Sequence, residues 1–103
     1  MSAASNPNIL GDLMAEDRVV RLKPGALTFR VVDGEAVLLD IERSEYLGLN
    51  STATALLGSI QDGATTQELV SVLLEQFDVS PMIAARDVEL FLDACTQKGW
   101  LER

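Results

Sequence analysis

The sequence contains no histidine, one cysteine and few aromatic residues. Without histidine the chain lacks the most common general base and the most common metal ligand of proteins. The lone cysteine, Cys95, excludes an internal disulfide, and its apolar helical context predicts a buried side chain in a reducing compartment. No pair of carboxylates and no glycine-rich phosphate loop stands out. We therefore expect no catalysis, no metal and no cofactor.

Basic residues are also scarce. Lys and Arg number 8 against 16 Asp and Glu, which gives a formal net charge of -8. Because nucleic-acid affinity rests on basic side chains that neutralise phosphates, this balance argues against a nucleic-acid partner. No apolar run approaches the length of a membrane span, and the N-terminus lacks a signal-peptide pattern. We expect a cytoplasmic protein without a membrane partner.

The composition that is present suits one small globular domain, since 48% of the 103 residues are hydrophobic. Residues 1–18 are rich in small, polar and acidic side chains and predict a flexible N-terminal arm. Residues 19–103 predict the folded domain. The arm holds one apolar cluster, which fits either a second contact surface or an end that folds back onto the domain. The cluster consists of Ile9, Leu10, Leu13 and Met14.

Residues 27–49 predict a three-stranded antiparallel sheet. Asp33-Gly34 separates two β-prone runs and indicates a hairpin, because a type I′ turn needs positive φ at both central residues. Three consecutive apolar residues at 37–39 predict a central strand that is covered on both faces. The alternation in 45–49 predicts the last strand, an edge with one buried and one exposed face.

The rest of the chain predicts three helices, each with its own start signal. The signals are an Asn cap, a capping box and a Ser-Pro pair, at Asn50, 65–68 and 80–81. Gly99 is a suitable end for the third helix, and Trp100 beyond it is expected to fold back and close the core. Three antiparallel strands followed by three helices make an α+β fold.

The third helix has more apolar surface than one packed face requires. Its second apolar stripe, interrupted by Asp87, fits either a wide core face or one wall of a groove beside the edge strand. An open sheet edge next to helices is a docking place for an extended peptide, which favours a binding module over an enzyme. The candidate peptide-binding residues are Glu45, Tyr46, Leu47, Gly48, Leu49, Ile83, Arg86, Asp87, Leu90 and Ala94.

The order of these motifs resembles the PqqD-like proteins, whose domain is the recognition element of ribosomally synthesised and post-translationally modified peptides (RiPPs). The resemblance covers about 19–101. One departure is Ser51, where the family often has Pro, and both residues suit a helix start. The matching motifs are Val37-Leu38-Leu39-Asp40, Tyr46-Leu47-Gly48-Leu49-Asn50, Thr65 with Glu68, Asp87-Val88 with Phe91-Leu92, and Gly99-Trp100-Leu101.

The resemblance implies a winged-helix-like domain without catalysis or cofactor. Such a domain binds the leader of a precursor peptide by strand addition and presents it to partner enzymes such as a leader protease or a cyclase. Arg86 is then a candidate partner for acidic leader side chains and Asp87 for a hydroxyl or a base, although both also fit a solvated helix face. The chain is more similar to the stand-alone leader binders of lasso-peptide systems than to PqqD proper.

Two other functions compete with leader binding. A winged-helix DNA-binding transcriptional regulator shares the helical half of the fold, but its reading helix should present Lys and Arg to the groove. The third helix instead carries Asp87, Glu89 and Asp93 against Arg86 and Lys98. A small subunit that supports an enzyme without touching the leader stays open.

Deleting residues 1–17 is expected to leave folding intact, because the arm lacks the apolar periodicity of a core element. One small contact of about 1 kcal/mol shifts the melting temperature of a domain this size by roughly 4–8 °C. Thermal unfolding of the full and shortened chains measures the difference. A loss of clearly more than about 10 °C would show that the arm packs on the domain.

Overall fold

The computed structural model describes residues 18–102, so the predicted arm lies almost wholly outside the described residues. The described chain is an α+β domain with a three-stranded antiparallel sheet and three helices, which confirms the predicted fold class. In chain order the elements are β1 Val19–Val20, β2 Leu27–Val32, β3 Glu35–Asp40, β4 Glu45–Leu49, α1 Ser51–Gln61, β5 Ala64–Thr65, α2 Thr66–Gln76 and α3 Pro81–Gln97.

The hairpin between β2 and β3 confirms the turn that the sequence predicts. Asp33 and Gly34 have φ of 53° and 80°, both positive as a type I′ turn requires. The turn sets the register of the sheet, which begins with Val32 opposite Glu35. β3 therefore lies between β2 and β4, the central place that was predicted for it.

One expectation about β3 is wrong, because only one of its faces is covered. Ala36, Leu38 and Asp40 are buried on the inner face, whereas Val37 is 52% exposed on the outer face. α1 packs on β3 and β4. The inner face of the sheet contributes Leu38 to the core of the domain. Three consecutive apolar residues indicate a strand, but they do not show whether one or both of its faces are buried.

The three predicted helix starts are all present. The Asn50 side chain accepts a hydrogen bond from the N–H of Ala53 at 2.9 Å. Thr65 and Glu68 form the reciprocal capping box, with distances of 3.1 Å and 2.8 Å. At the start of the third helix, the Ser80 hydroxyl accepts a hydrogen bond from the backbone N–H of Ile83 at 3.2 Å. These caps satisfy amide groups that have no partner inside a helix and so define where each helix begins.

A single core joins the sheet to all three helices. Trp100, which follows the positive-φ residue Gly99, folds back into this core as predicted and is 4% exposed. The buried residues of the core are Leu38, Leu56, Leu57, Ile60, Ala64, Leu69, Leu73, Ala84, Val88, Cys95 and Trp100.

A second, two-stranded sheet was not predicted from the sequence. Val19 and Val20 of β1 pair antiparallel with Thr65 and Ala64 of β5. Both strands are two residues long, so neither shows the alternation by which a strand is recognised. The pair connects the beginning of the described chain to the segment between α1 and α2.

The carboxylate of Asp40 is the one buried acidic group among residues 18–102. It accepts hydrogen bonds from Trp100 Nε1 at 2.9 Å, from the Arg43 backbone N–H at 3.1 Å and from Arg43 Nη1 at 3.0 Å. The Trp100 bond, followed by the two Arg43 bonds, holds the pKa of Asp40 below its usual value despite burial. Asp40 is therefore ionised at neutral pH.

Within residues 18–102, no helix has the length and apolar character that crossing a membrane requires.

The Cys95 thiol is expected to be unreactive while the protein is folded. Cys95 is 0% exposed, and burial raises its pKa to about 12, so the reactive thiolate is scarce at neutral pH. Ellman's reagent should react with the native protein only at the rate of unfolding and should react at once in denaturant. Fast reaction of one thiol in native buffer would contradict the buried position.

Candidate peptide-binding site

β4 forms one end of the three-stranded sheet, whose order is β2-β3-β4. One side of β4 pairs with β3, from Asp40 opposite Glu45 to Ala36 opposite Leu49. No other strand in residues 18–102 pairs with its second side. The predicted edge strand is therefore present, with the predicted bounds.

Backbone hydrogen bonds around β3 show which groups of β4 face the open edge. The N–H of Ile41 donates to Ala26 O at 3.1 Å, toward β2, whereas the N–H of Ala36 donates to Thr54 Oγ1 at 2.8 Å, on the β4 side. Backbone groups alternate in direction along a strand, so Leu38 also points to β4 and pairs there with Leu47.

The same alternation gives Tyr46 and Gly48 the opposite direction. Their backbone N–H and C=O groups point away from β3, to the open edge of the sheet. These are the groups that an added strand would use, since an unpaired edge offers a row of donors and acceptors. Leu47 and Leu49 use their own groups to hold β4 in the sheet.

The side chains of β4 follow the predicted division between two faces. Leu47 and Leu49 are half-buried and pack against the core. Tyr46 is 75% exposed on the outer face, beside Gly48, where an added Cβ would meet no atom within 4 Å. Glu45 is exposed at the start of the strand. The outer face beside the open edge is therefore accessible.

The second apolar stripe of α3 is not part of the core. Leu90 is 56% and Ile83 43% exposed, and Ala94 is exposed as well. Arg86 is exposed and Asp87 half-buried, and neither forms an ion pair within the described chain. The reading of this stripe as a wide core face is thus wrong for its large side chains. The buried face of α3 consists of Ala84, Val88 and Cys95.

Two connections relate α3 to the edge strand. α1 packs on β3 and β4 and also on α3, so it links α3 to the sheet. In addition, Arg43 Nη1 donates to the backbone oxygen of Lys98 at 2.7 Å. Arg43 belongs to the turn just before β4, and Lys98 is the C-cap of α3. The structure therefore brings the start of β4 and the end of α3 together.

The cluster of Asp40, Arg43 and Trp100 was not singled out as functional from the sequence. Two of its members were visible in the sequence, because Asp40 ends one motif of the PqqD-like resemblance and Trp100 lies in another, just after a helix end. No local pattern distinguishes Arg43, which is the single arginine of the turn 41–44. The proximity of the three depends on contacts between residues about 55–60 positions apart, which no local pattern reports.

Within residues 18–102, no group of three or more acidic or cysteine side chains comes together in a way that would hold a metal ion. Every buried side-chain nitrogen or oxygen in this part of the chain has a hydrogen-bond partner.

Comparison with solved structures places the domain among recognition elements of peptide-modifying systems. TbiB1 in complex with the TbiA(beta) leader peptide is 26% identical with a TM-score of 0.70, over 80% of this chain and 94% of that one. Lasso peptide synthetase B1, complexed with its leader peptide, is 26% identical with a TM-score of 0.68, over 82% and 98%.

A third similar structure is the PqqD truncation of Methylobacterium extorquens PqqCD, a stand-alone RiPP recognition element. It is 28% identical with a TM-score of 0.66, over 85% of this chain and 93% of that one. A search of curated proteins gave no significant match. Residues 35–101 match the family of coenzyme PQQ synthesis protein D (PqqD). Since that match spans more than half of the chain, the protein belongs to the PqqD family.

Proposed function

We propose that this protein binds the leader segment of a ribosomally synthesised precursor peptide by strand addition to β4. The observation that carries the proposal is the open edge of β4, where Tyr46 and Gly48 direct their backbone groups away from the sheet. The similar B1 proteins are solved with leader peptides, which supports the same class of ligand here.

Backbone pairing alone does not explain stable binding. The N–H and C=O groups of Tyr46 and Gly48 would contribute about 4 kcal/mol, at roughly 1 kcal/mol for each hydrogen bond. Ordering a flexible peptide costs about 2–5 kcal/mol, which offsets that gain. A micromolar complex needs about 8 kcal/mol. About three buried leader side chains, at roughly 1.5–3 kcal/mol each, must therefore supply the rest.

The exposed stripe of α3 is the proposed surface for those side chains. A five-residue strand on β4 extends about 13 Å, and the helix from Lys98 back to Leu90 extends about 12 Å. A leader that follows α3 back from Lys98 would pass Ala94 and Leu90 within the length of β4 and would reach Ile83 only beyond Leu49. Exposed Leu90 and Ile83 offer apolar contact. Arg86 and Asp87, which form no ion pair with another residue of 18–102, offer contacts to polar leader residues.

The proposed role is non-catalytic presentation of the leader to a processing enzyme such as a leader protease or a cyclase, in the cytoplasm where precursors are made. The buried thiol of Cys95, the absence of histidine and the lack of a metal-ligand cluster in residues 18–102 agree with this role. Glu89 and Asp93 on the exposed side of α3 disfavour DNA as a ligand.

Replacing Gly48 by proline is expected to weaken leader binding about tenfold or more. Proline removes the N–H that faces the open edge and leaves a leader carbonyl unpaired, which costs roughly 1–3 kcal/mol. Fluorescence polarisation measures the affinity of a labelled leader peptide. Its sequence is taken from a short precursor gene where one neighbours the gene of this chain, and otherwise from the leader that the similar TbiB1 binds.

Gly48→Ala is the matched control, because it adds a Cβ into open space and keeps the N–H. It should bind like the unaltered protein. Leu47→Pro is unsuitable for this purpose, since Leu47 directs its N–H to β3 and its loss would damage the sheet. If Gly48→Pro is folded and binds the leader as tightly as Gly48→Ala, the peptide does not pair with β4.

Replacing Leu90 by glutamate is expected to lower leader affinity by about 10- to 100-fold. The change removes apolar contact and places a charge against buried leader side chains. Leu90 is 56% exposed, so the domain should stay folded, as circular dichroism would show. Gln67→Glu on α2 adds the same charge at an exposed site and should have no effect. Equal affinity of both variants would exclude α3 from the site.

A further inference from the structure

Asp40 and Trp100 connect the sheet to the C-terminal end of the chain inside the core. The Trp100 indole N–H donates to Asp40 Oδ2 at 2.9 Å, and both residues are buried. The Lys98 ammonium lies 5.8 Å from the centre of the Trp100 ring, within the range of a cation–π contact. The last turn of α3 is thus held against the end of β3.

Arg43 adds a second connection on the surface of this cluster. A single nitrogen, Nη1, donates both to Asp40 Oδ2 at 3.0 Å and to Lys98 O at 2.7 Å. Lys98 O is at the C-terminal end of α3, where unsatisfied carbonyls give a partial negative charge that favours a cation. Arg43 therefore bridges a carboxylate of β3 and a helix terminus through one atom.

These contacts join the two elements that form the proposed leader site. Asp40 is opposite Glu45, the first residue of β4, and Arg43 is in the turn that leads into β4. Lys98 closes α3 one turn after Ala94, to which its N–H is bonded at 3.1 Å. In the proposed site the leader lies in the space between β4 and α3, which we call the groove. At the Lys98 end of this space, the Arg43 bridge fixes how far apart the two elements are.

We propose that Arg43 is a positioning residue that sets the width of the leader-binding groove by fixing the end of α3 to the turn before β4. This role rests on the proposed function, and Arg43 acts through β4 and α3 without contacting the leader. The Arg43 side chain is 42% exposed, so it is not needed to fill the core. The backbone N–H of Arg43, which binds Asp40 Oδ1, is unchanged in any variant.

The test compares Arg43→Met with Arg43→Lys. Methionine keeps the aliphatic chain but has no donor, whereas a lysine ammonium can donate to both acceptors, as the single Nη1 atom does. We expect Arg43→Met to weaken binding of the labelled leader about fivefold, the effect of one hydrogen bond, and Arg43→Lys to restore most of it. Lys23→Met, at an exposed position that belongs neither to β4 nor to α3, controls for the loss of one positive charge.

Two further measurements separate positioning from general loss of structure. Trp100 is the only tryptophan, and its unchanged fluorescence emission in Arg43→Met would show that the Asp40 bond and the core persist. Without peptide, ¹H–¹⁵N spectra of Arg43→Met should show shifted amide signals in 45–49 and 90–98. The spectrum of Arg43→Lys should stay close to that of the unaltered protein. Arg43→Gln, which lacks a bridging cation, should behave like Arg43→Met.

The outcomes distinguish this inference from the proposed function. If the unaltered protein binds no leader, the proposed function is wrong, and Arg43 then has no role in leader binding. In that case the spectra alone decide whether Arg43 fixes the position of α3. If the unaltered protein binds and a folded Arg43→Met variant binds equally well, the positioning role is overturned. It is also overturned if Arg43→Met shifts no amide signal in β4 or α3, or if Arg43→Lys is as weak as Arg43→Met.

Discussion

The burial of one ionised carboxylate, Asp40, is the constraint on which the architecture depends. A buried charge is costly unless every lone pair has a partner, so Asp40 requires Trp100 and Arg43 close to it. Trp100 can meet this need only if the chain after α3 returns to the sheet. Arg43 can meet it only if the turn between β3 and β4 folds back on itself. One buried group thus specifies how the helical half meets the sheet.

The two faces of the sheet have different roles. The inner face of the sheet is used for the core, and α1 follows β4 directly, so the helices collect on one side. This leaves the edge of β4 and the outer face open. An edge strand is a liability in a soluble domain unless something covers it or a function needs it. In a member of the PqqD family the open edge is consistent with a peptide ligand.

The proposed site combines rigid and adaptable parts. Leu47 and Leu49 are anchored in the core, so the backbone groups of Tyr46 and Gly48 between them are presented in a fixed geometry. Leu90 and Ile83 of α3 are exposed, so their side chains have room to adopt different rotamers. A fixed backbone edge gives affinity with little dependence on sequence, whereas side-chain contacts give specificity. Arg43 would determine how far apart these two parts lie.

The local features of this protein were determined by its sequence. The Asp33-Gly34 turn, the caps at Asn50, Thr65 and Ser80, and the alternation in β4 depend on neighbouring residues, and all are present as predicted. The motif order likewise identified the family. Tertiary structure alone decided the open outer face beside Val37, the short β1–β5 sheet and the Asp40–Arg43–Trp100 cluster. These features depend on which distant segments of the chain come into contact. A pattern within a few residues does not show which other segment packs on a strand or helix.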